Sequence, residues 1–146
     1  MIGFYSGLEY SADILKSDYD MARDFQPVKR AFVVCAALAA GVQPVVETSV
    51  PLVQGVLLRH PSSGRSAVTL VNWAYRAQGT GQTVLQPSGR YALVPFNSVR
   101  VVVRGAGPVR AIRSAWSGAK LEFQQRWDDI ELTLPRIDEA DVLLLE

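Results

Sequence analysis

One histidine and the serines beside it are the residues of this sequence best suited to nucleophilic chemistry. His60 is followed by Pro61, Ser62 and Ser63. A serine nucleophile needs a base that a third group orients, and the spacing marks no carboxylate for that role. Because proline, serine and glycine are also typical of turns, we interpret this stretch as a turn and not as a catalytic triad.

The sequence also gives little support for a metal site or for a reactive thiol. The chain has one His and 1 Cys, whereas a zinc site built from nitrogen and sulfur ligands takes several such residues. Cys35 lies in an apolar helical run, so we expect it to be buried as a small hydrophobic residue. We predict no metal site and no cofactor.

Two acidic clusters could supply a pair of carboxylates. They are Asp128-Asp129-Glu131 and Asp138-Glu139-Asp141. Glycoside hydrolysis needs two carboxylates across a cleft, and a calcium site needs several oxygen ligands. Both clusters are predicted at strand turns, where carboxylates are usually solvated or bonded to the local backbone. We therefore predict that the protein is not an enzyme and has no catalytic residues.

Aromatic residues are the best remaining indication of a binding function. Trp73, Tyr75 and Trp116 are the candidates for carbohydrate binding, and Tyr91 and Trp127 are further aromatic residues of the same region. A flat π face suits the apolar side of a pyranose ring, but tryptophans in a β-sandwich more often belong to the core. The direction in which the rings point distinguishes the two possibilities.

The charge balance argues against nucleic acid as a partner. Lys and Arg number 15 and Asp and Glu number 14, giving a net charge of +1, without the positive excess typical of phosphate binders. Four arginines fall on two consecutive predicted strands, where they either form a basic ladder or belong to a solvated face neutralised by acidic neighbours. They are Arg100, Arg104, Arg110 and Arg113.

The residues from Val53 to Trp73 predict a β-hairpin, with two apolar runs on either side of a Pro-Ser-Ser-Gly turn. With residues 61–65 as the loop, Val56 and Leu58 are expected opposite Leu70 and Val68 on one face, and Leu57 and Val71 on the other. Both faces are apolar, so we predict a hairpin in the centre of the sheet, covered on both sides.

The elements around the hairpin predict one domain of 146 residues. Residues 1–23 are expected to form an extended N-terminal segment, residues 24–41 an amphipathic helix that ends at Gly41, and residues 44–146 a β-sandwich. Short strands at regular spacing, separated by glycine-containing turns, are typical of an antiparallel sandwich. The predicted fold is mainly β, an antiparallel β-sandwich with one N-terminal amphipathic helix.

No segment of the sequence predicts a membrane protein. The most hydrophobic window, from Ala31 to Val42, is closed by Gln43-Pro44 and is shorter than the roughly 20 residues that span a bilayer. The first ten residues lack the basic and apolar regions of a secretory signal. As written, the chain is expected to be cytoplasmic and to have no membrane partner.

The order of several short motifs resembles a known family. The first group comprises Pro44-Val45-Val46-Glu47-Thr48, Leu52-Val53, Gly64 and Val68-Thr69-Leu70-Val71-Asn72-Trp73. The later group comprises Val109-Arg110-Ala111-Ile112-Arg113-Ser114, Gly118, Leu121-Glu122-Phe123, Leu132-Thr133-Leu134-Pro135 and Asp141-Val142-Leu143-Leu144. Together they resemble the C-terminal β-sandwich of large bacterial glycosidase-like proteins, relatives of β-galactosidases that carry a trimerisation domain. Residues 3–10 are similar to the last strand and loop of the α/β domain that precedes this sandwich.

The resemblance implies a non-catalytic accessory or interaction module, because the carboxylates that cleave sugars in such proteins would lie on a barrel absent from this sequence. A carbohydrate-binding module that uses exposed aromatic residues is the alternative, and a stand-alone self-associating domain is another. In the resembling proteins the N-terminal segment meets a preceding domain, so here its apolar residues are expected to form a homodimer, with folding back on the sandwich as the competing possibility. These residues are Ile2, Phe4, Tyr5, Leu8 and Tyr10.

Overall fold

The computed structural model describes residues 34–78 and 90–146. The chain divides into two compact units, of which the first comprises Met1–Gln43 and Ala74–Val94 and the second Pro44–Trp73 and Pro95–Glu146. The described strands are β1 (Val46–Thr48), β2 (Val53–Arg59), β3 (Ser66–Asn72), β4 (Tyr75–Gln78), β5 (Arg90–Leu93), β6 (Phe96–Val103), β7 (Ile112–Ser114), β8 (Lys120–Leu121), β9 (Phe123–Arg126), β10 (Asp129–Ile137) and β11 (Ala140–Leu145). The prediction of one domain over the whole chain stays a prediction.

The second unit is an antiparallel β-sandwich, which confirms the predicted fold class. One sheet has four strands in the order β1-β6-β10-β9, and the other has five in the order β2-β3-β11-β7-β8. Alternate side chains point between the sheets, as the period of a β-strand requires. β10 shows this alternation clearly, since Ile130, Leu132 and Leu134 are buried while Glu131 and Thr133 are exposed. The core also contains Val68, Leu70, Val99, Val101, Val103, Ile112, Leu143 and Leu145.

The hairpin of β2 and β3 forms, but its predicted register is wrong by one residue. The N–H of His60 donates to the carbonyl of Arg65 over 2.8 Å, which leaves a loop one residue shorter than predicted. Leu57 is therefore paired with Val68. A shift of one residue turns every side chain of a strand to the other face of the sheet.

The corrected register also changes which residues are buried. Val56 and Leu58, predicted to face the core, are 58% and 54% exposed. β2 is the outermost strand of its sheet, whereas β3 lies between β2 and β11. The prediction of a central hairpin covered on both faces is therefore wrong for β2, and it is also wrong for the outer face of β3.

In its described residues, the first unit contains a short helix and the antiparallel pair of β4 and β5. The described helical residues are 34–39, and they end in a Schellman motif. Gly41 has a φ of 71°, its N–H donates to the carbonyl of Leu38 over 2.9 Å, and the N–H of Val42 donates to the carbonyl of Ala37 over 2.8 Å. The helix thus ends where the sequence predicts, while its predicted start lies outside the described residues.

Cys35 corrects a prediction about this helix, because it is exposed and not buried. All residues from 34 to 40 are apolar, so the helical period has no polar face that would define which side packs. Val34, Ala36 and Ala37 are the half-buried residues, whereas Leu38 is 55% exposed. No helix in the described part of the chain is both long and apolar enough to cross a membrane.

Candidate functional site

The outer face of the five-stranded sheet is apolar and partly exposed over β2, β3 and β11, while the exposed residues Arg113 of β7 and Lys120 of β8 continue the same face. Its apolar part carries the side chains of β2, β3 and β11 that point away from the core. Leu58, Ala67 and Leu144 form one row across these three strands, because Ala67 is paired with both leucines. Leu144 is 37% exposed. We call this surface the apolar outer face, and it consists of Val56, Leu58, Ala67, Thr69, Val71, Val142 and Leu144.

The outer face of the four-stranded sheet is instead charged and ion-paired. The guanidinium of Arg100 donates two hydrogen bonds to the carboxylate of Glu131, over 2.5 and 2.9 Å. This hydrogen bonding lowers the pKa of Glu131 from its ordinary value. Arg104 donates to Glu47 over 2.6 Å. A solvated sheet face is normally covered in this way, and the contrast makes the apolar outer face unusual.

The four candidate arginines consequently do not form a ladder. Arg100 lies on β6 and Arg104 directly follows it. Both pair with acidic neighbours, as expected for a solvated face that acidic residues neutralise. Arg113 lies on β7, in the other sheet, with Glu146 at 3.9 Å. Arg110 precedes β7 and is exposed. The arrangement offers no continuous basic surface on the described part of the chain.

Asp141 departs from the prediction that both acidic clusters lie in turns. It lies inside β11 and is buried, with only 7% of its surface exposed. Its carboxylate accepts hydrogen bonds from the hydroxyl of Ser114 over 2.6 Å and from the N–H groups of Trp116 and Val142 over 3.2 and 2.7 Å. The N–H of Ser117 donates to the Ser114 hydroxyl over 3.0 Å. This carboxylate holds the β7–β8 turn against β11, which is a structural role.

The remaining carboxylates and the histidine take part in local contacts. Asp129 accepts the N–H of Gly105 over 2.9 Å, and Asp138 pairs with Arg136 at 2.6 Å. Nδ1 of His60 accepts the N–H of Ser63 over 3.2 Å, as in a turn. Over residues 34–78 and 90–146, no three His, Cys, Asp or Glu residues are grouped so that they could hold a metal ion.

The three tryptophans are exposed, which corrects the expectation that tryptophans of the sandwich belong to its core. Trp73 is 53% and Trp116 is 77% exposed. Both lie beside the start of β11, because the N–H of Asn72 donates to the carbonyl of Glu139 and the N–H of Trp116 donates to Asp141. Tyr75 lies in β4, in the first unit. Carbohydrate binding by these three residues stays a prediction.

The third tryptophan is the most exposed large hydrophobic residue of the described chain. Trp127 is 97% exposed and has a φ of 56°. It lies with Asp128 in the two-residue turn between the paired residues Arg126 and Asp129. The sequence interpretation named Trp127 only as a further aromatic residue, not as a candidate for carbohydrate binding. The signal that was available is a tryptophan next to two aspartates, at a point where the alternation of apolar residues stops.

The residues predicted to support self-association lie outside the described part of the chain. They are Ile2, Phe4, Tyr5, Leu8 and Tyr10. Self-association through them stays a prediction. The apolar outer face is an exposed apolar surface that the sequence interpretation missed, because the predicted register placed Val56 and Leu58 in the core.

No protein-family model and no curated protein matches this sequence. Among solved structures, the chain is similar to the α-L-fucosidase isoenzyme 2 from Paenibacillus thiaminolyticus, with a TM-score of 0.62 and 16% sequence identity. The match covers 82% of this chain and 18% of that chain, so the chain spans less than a fifth of the fucosidase. At this identity the likeness shows the fold alone. It agrees with the expectation that this fold also occurs in glycosidase chains.

Proposed function

We propose that this chain is a non-catalytic accessory β-sandwich module of a glycosidase-like protein, and that it packs through the apolar outer face against another folded domain. More specifically, we assign it to the C-terminal sandwiches of the β-galactosidase relatives that carry a trimerisation domain. The observation that carries the proposal is the difference between the two outer faces of the sandwich. One is covered by charged and paired side chains, and the other presents aliphatic side chains to solvent.

The fold of the structural neighbour agrees with an accessory role. The matched part of this chain corresponds to 18% of a glycosidase chain, so in that protein a similar fold exists within a much larger polypeptide. An apolar sheet face at a domain boundary is normally covered by the neighbouring domain. The exposed positions Val56 and Leu58 are suited to such a contact, because they stand on an edge strand where a neighbour has access.

The carboxylates of the sandwich support the absence of catalysis. A hydrolase needs two carboxylates that face a common cleft and are free to exchange protons with the substrate. Asp141 is buried among its hydrogen-bond donors, Glu131 is bound by Arg100, and Asp138 is bound by Arg136. We infer that these three acidic residues stabilise turns and strands.

An assay with aryl glycosides tests the catalytic part of the proposal. The purified chain should not release nitrophenol from nitrophenyl α-L-fucoside or nitrophenyl β-D-galactoside. Turnover that disappears in the Asp129→Asn, Asp141→Asn double variant would contradict the proposal. Turnover that is equal in this variant would identify a contaminating enzyme.

The proposed accessibility of the apolar outer face is tested with the fluorescent dye anilinonaphthalene sulfonate, which binds exposed apolar surface. The triple variant Val56→Ser, Leu58→Ser, Leu144→Ser should bind less dye than the wild-type chain. Val102→Ser is the matched control, because Val102 is a half-buried valine of the four-stranded sheet that is paired with Glu47. Equal dye binding by the wild type and the triple variant would show that the apolar outer face is not accessible.

Self-association is the second candidate, and the same exposed face favours it. A second copy could cover the apolar outer face in place of another domain. Light scattering decides between them, since the monomer has a mass of 16.0 kDa. A doubled mass that returns to the monomer value in the triple variant would favour the homodimer. A mass that stays at the monomer value would favour the accessory module.

A further inference from the structure

The turn between β9 and β10 presents a tryptophan in an unfavourable backbone conformation. Trp127 is the first residue of a two-residue turn and has a φ of 56°. Two-residue hairpin turns favour Gly, Asn or Asp at a position with positive φ, because a β-carbon is crowded there. The side chain is 97% exposed, so packing within this chain does not explain why a tryptophan occupies the position.

The side chain of Gln125 stabilises the turn through hydrogen bonds. Its amide nitrogen donates to the carbonyl of Trp127 over 3.0 Å and to the carbonyl of Gly107 over 2.8 Å. Its amide oxygen accepts the N–H of Val109 over 3.2 Å. One side chain therefore fixes the backbone of Trp127 to the loop that follows β6.

Two further hydrogen bonds join the same turn to the same loop. The N–H of Gly107 donates to the carbonyl of Asp128 over 3.2 Å, and the N–H of Gly105 donates to the carboxylate of Asp129 over 2.9 Å. The backbone on both sides of the indole is thus fixed although the indole itself is free. A fixed support lowers the conformational entropy that binding would otherwise cost.

The size of the exposed side chain limits the kind of ligand. A tryptophan offers at most about 250 Å² of surface, whereas a stable protein interface takes about 800 Å² from each partner. One indole is therefore too small to form such an interface. It is large enough to cover one face of a pyranose ring, whose C–H groups carry partial positive charge and favour the negative π face.

The neighbours of Trp127 suit a hydroxylated ligand better than a lipid surface. Arg126 and Asp128 are exposed, and within the described part of the chain neither side chain is hydrogen-bonded. A guanidinium donates to hydroxyl groups and a carboxylate accepts from them, which is what several adjacent sugar hydroxyls require. Two aspartates next to the ring would have to be desolvated in a bilayer, at considerable cost.

We propose that Trp127 stacks against a pyranose ring of an oligosaccharide and that Arg126 and Asp128 bind its hydroxyl groups. This sugar site goes beyond the accessory role proposed above. It belongs to a turn of the four-stranded sheet, whereas the apolar outer face belongs to the five-stranded sheet. The two proposals can therefore fail independently.

The test is isothermal titration calorimetry of the full chain with cellohexaose, xylohexaose, laminarihexaose and L-fucose as probes. At least one probe should bind, and Trp127→Gly should weaken its binding by about tenfold or more, which is the lower end of what an aromatic ring contributes when a nucleobase stacks on it. The variant should melt at the same temperature as the wild type or higher, because glycine suits the positive φ. Trp127→Asn, which also tolerates that conformation, should give the same loss.

The matched control is Gln124→Ala, which alters another exposed residue of β9 and should leave binding unchanged. Absence of binding by all four probes would overturn the proposal. Binding that survives Trp127→Gly but is lost in Trp116→Ala or Trp73→Ala would also overturn it and move the site to the tryptophans beside β11. Association with phosphatidylcholine vesicles in place of sugars, lost in Trp127→Gly, would overturn it in favour of a membrane contact.

Discussion

Gly55 lies directly against Val46, where a strand of one sheet passes over the edge strand of the other. A β-carbon at Gly55 would overlap Cγ1 of Val46 and approach Cδ2 of Leu70 to 3.0 Å. Gly55→Ala should therefore destabilise the protein by about 1–3 kcal/mol, because a packed core accommodates an added methyl group only by strain. Denaturant unfolding followed by circular dichroism measures the change.

The control for this variant is Val56→Ala, which alters the next residue of the same strand at an exposed position. Its effect should stay within about 1 kcal/mol, since it loses mainly β-propensity. If Gly55→Ala were no more destabilising than Val56→Ala, the close approach of β1 to β2 would be contradicted.

The register of the hairpin makes a second prediction, which compares two leucines. Leu70 is fully buried and Leu58 is 54% exposed. Leu70→Ala should cost about 2–5 kcal/mol, and Leu58→Ala should cost much less, because only the first leaves a cavity in the core. Thermal melts of both variants provide the measurement. Equal losses would restore the register in which Leu58 faces the core.

The buried carboxylate of Asp141 provides a third prediction. Ser114→Ala removes the hydroxyl that donates to this carboxylate, and a buried acceptor that loses its donor costs about 1–3 kcal/mol. Ser117→Ala is the control, because among the described residues the Ser117 hydroxyl accepts only the N–H of Ala119, at an exposed turn. Chemical denaturation should separate the two serines clearly. Similar values would argue against a structural role of the Ser114 hydroxyl.

The ion pair of the charged outer face makes a prediction about pH. The hydrogen bond from Arg100 lowers the pKa of Glu131 in the folded chain, so protonation of this carboxylate favours the unfolded state. The contribution of the pair to stability is present above the unfolded pKa of about 4.3 and is lost as pH falls below it. The difference in melting temperature between the wild type and Glu131→Gln should accordingly shrink as pH falls from neutral through this range.

Glu122→Gln is the control for the pH experiment, since Glu122 is exposed and has no ion-pair partner among the described residues. Its melting temperature should follow that of the wild type at every pH. A difference for Glu131→Gln that stays constant with pH would mean that the pair with Arg100 does not form in solution.

The parts of the fold that local chemistry determines could be predicted from the sequence. Gly41 ends the helix because it is the residue that tolerates a positive φ, and the Schellman bonds follow from that conformation. The alternation in β10 predicts a strand with one buried face, and the structure has it. These features depend on residues that are close together in the chain.

The features that depend on the exact length of a loop, and therefore on the register of the strands it connects, could not be predicted. The loop after His60 is one residue shorter than expected, and this single difference reverses the faces of Val56 and Leu58. The apolar outer face was missed for this reason. Composition alone did not indicate whether aliphatic residues on both faces of β2 meant two covered faces or one exposed apolar face.

The exposed tryptophans show a different limit of sequence interpretation. Tryptophan is buried in most sandwiches, so the expectation for Trp127 depended on residue type and not on position. Only the pairing of Arg126 with Asp129 shows that the turn has two residues and that the indole stands at its tip. Its φ is likewise invisible in the sequence.

The position of β11 constrains the order in which the sandwich can assemble. β11 lies between β3 and β7, although it follows every other strand along the chain. During synthesis on a ribosome, the two halves of the five-stranded sheet consequently remain apart until residues 140–145 have emerged. Until then, β3 exposes an unpaired edge beside its apolar outer surface, which is a template for association with other chains. The growing polypeptide is therefore expected to be most prone to association before β11 pairs with β3.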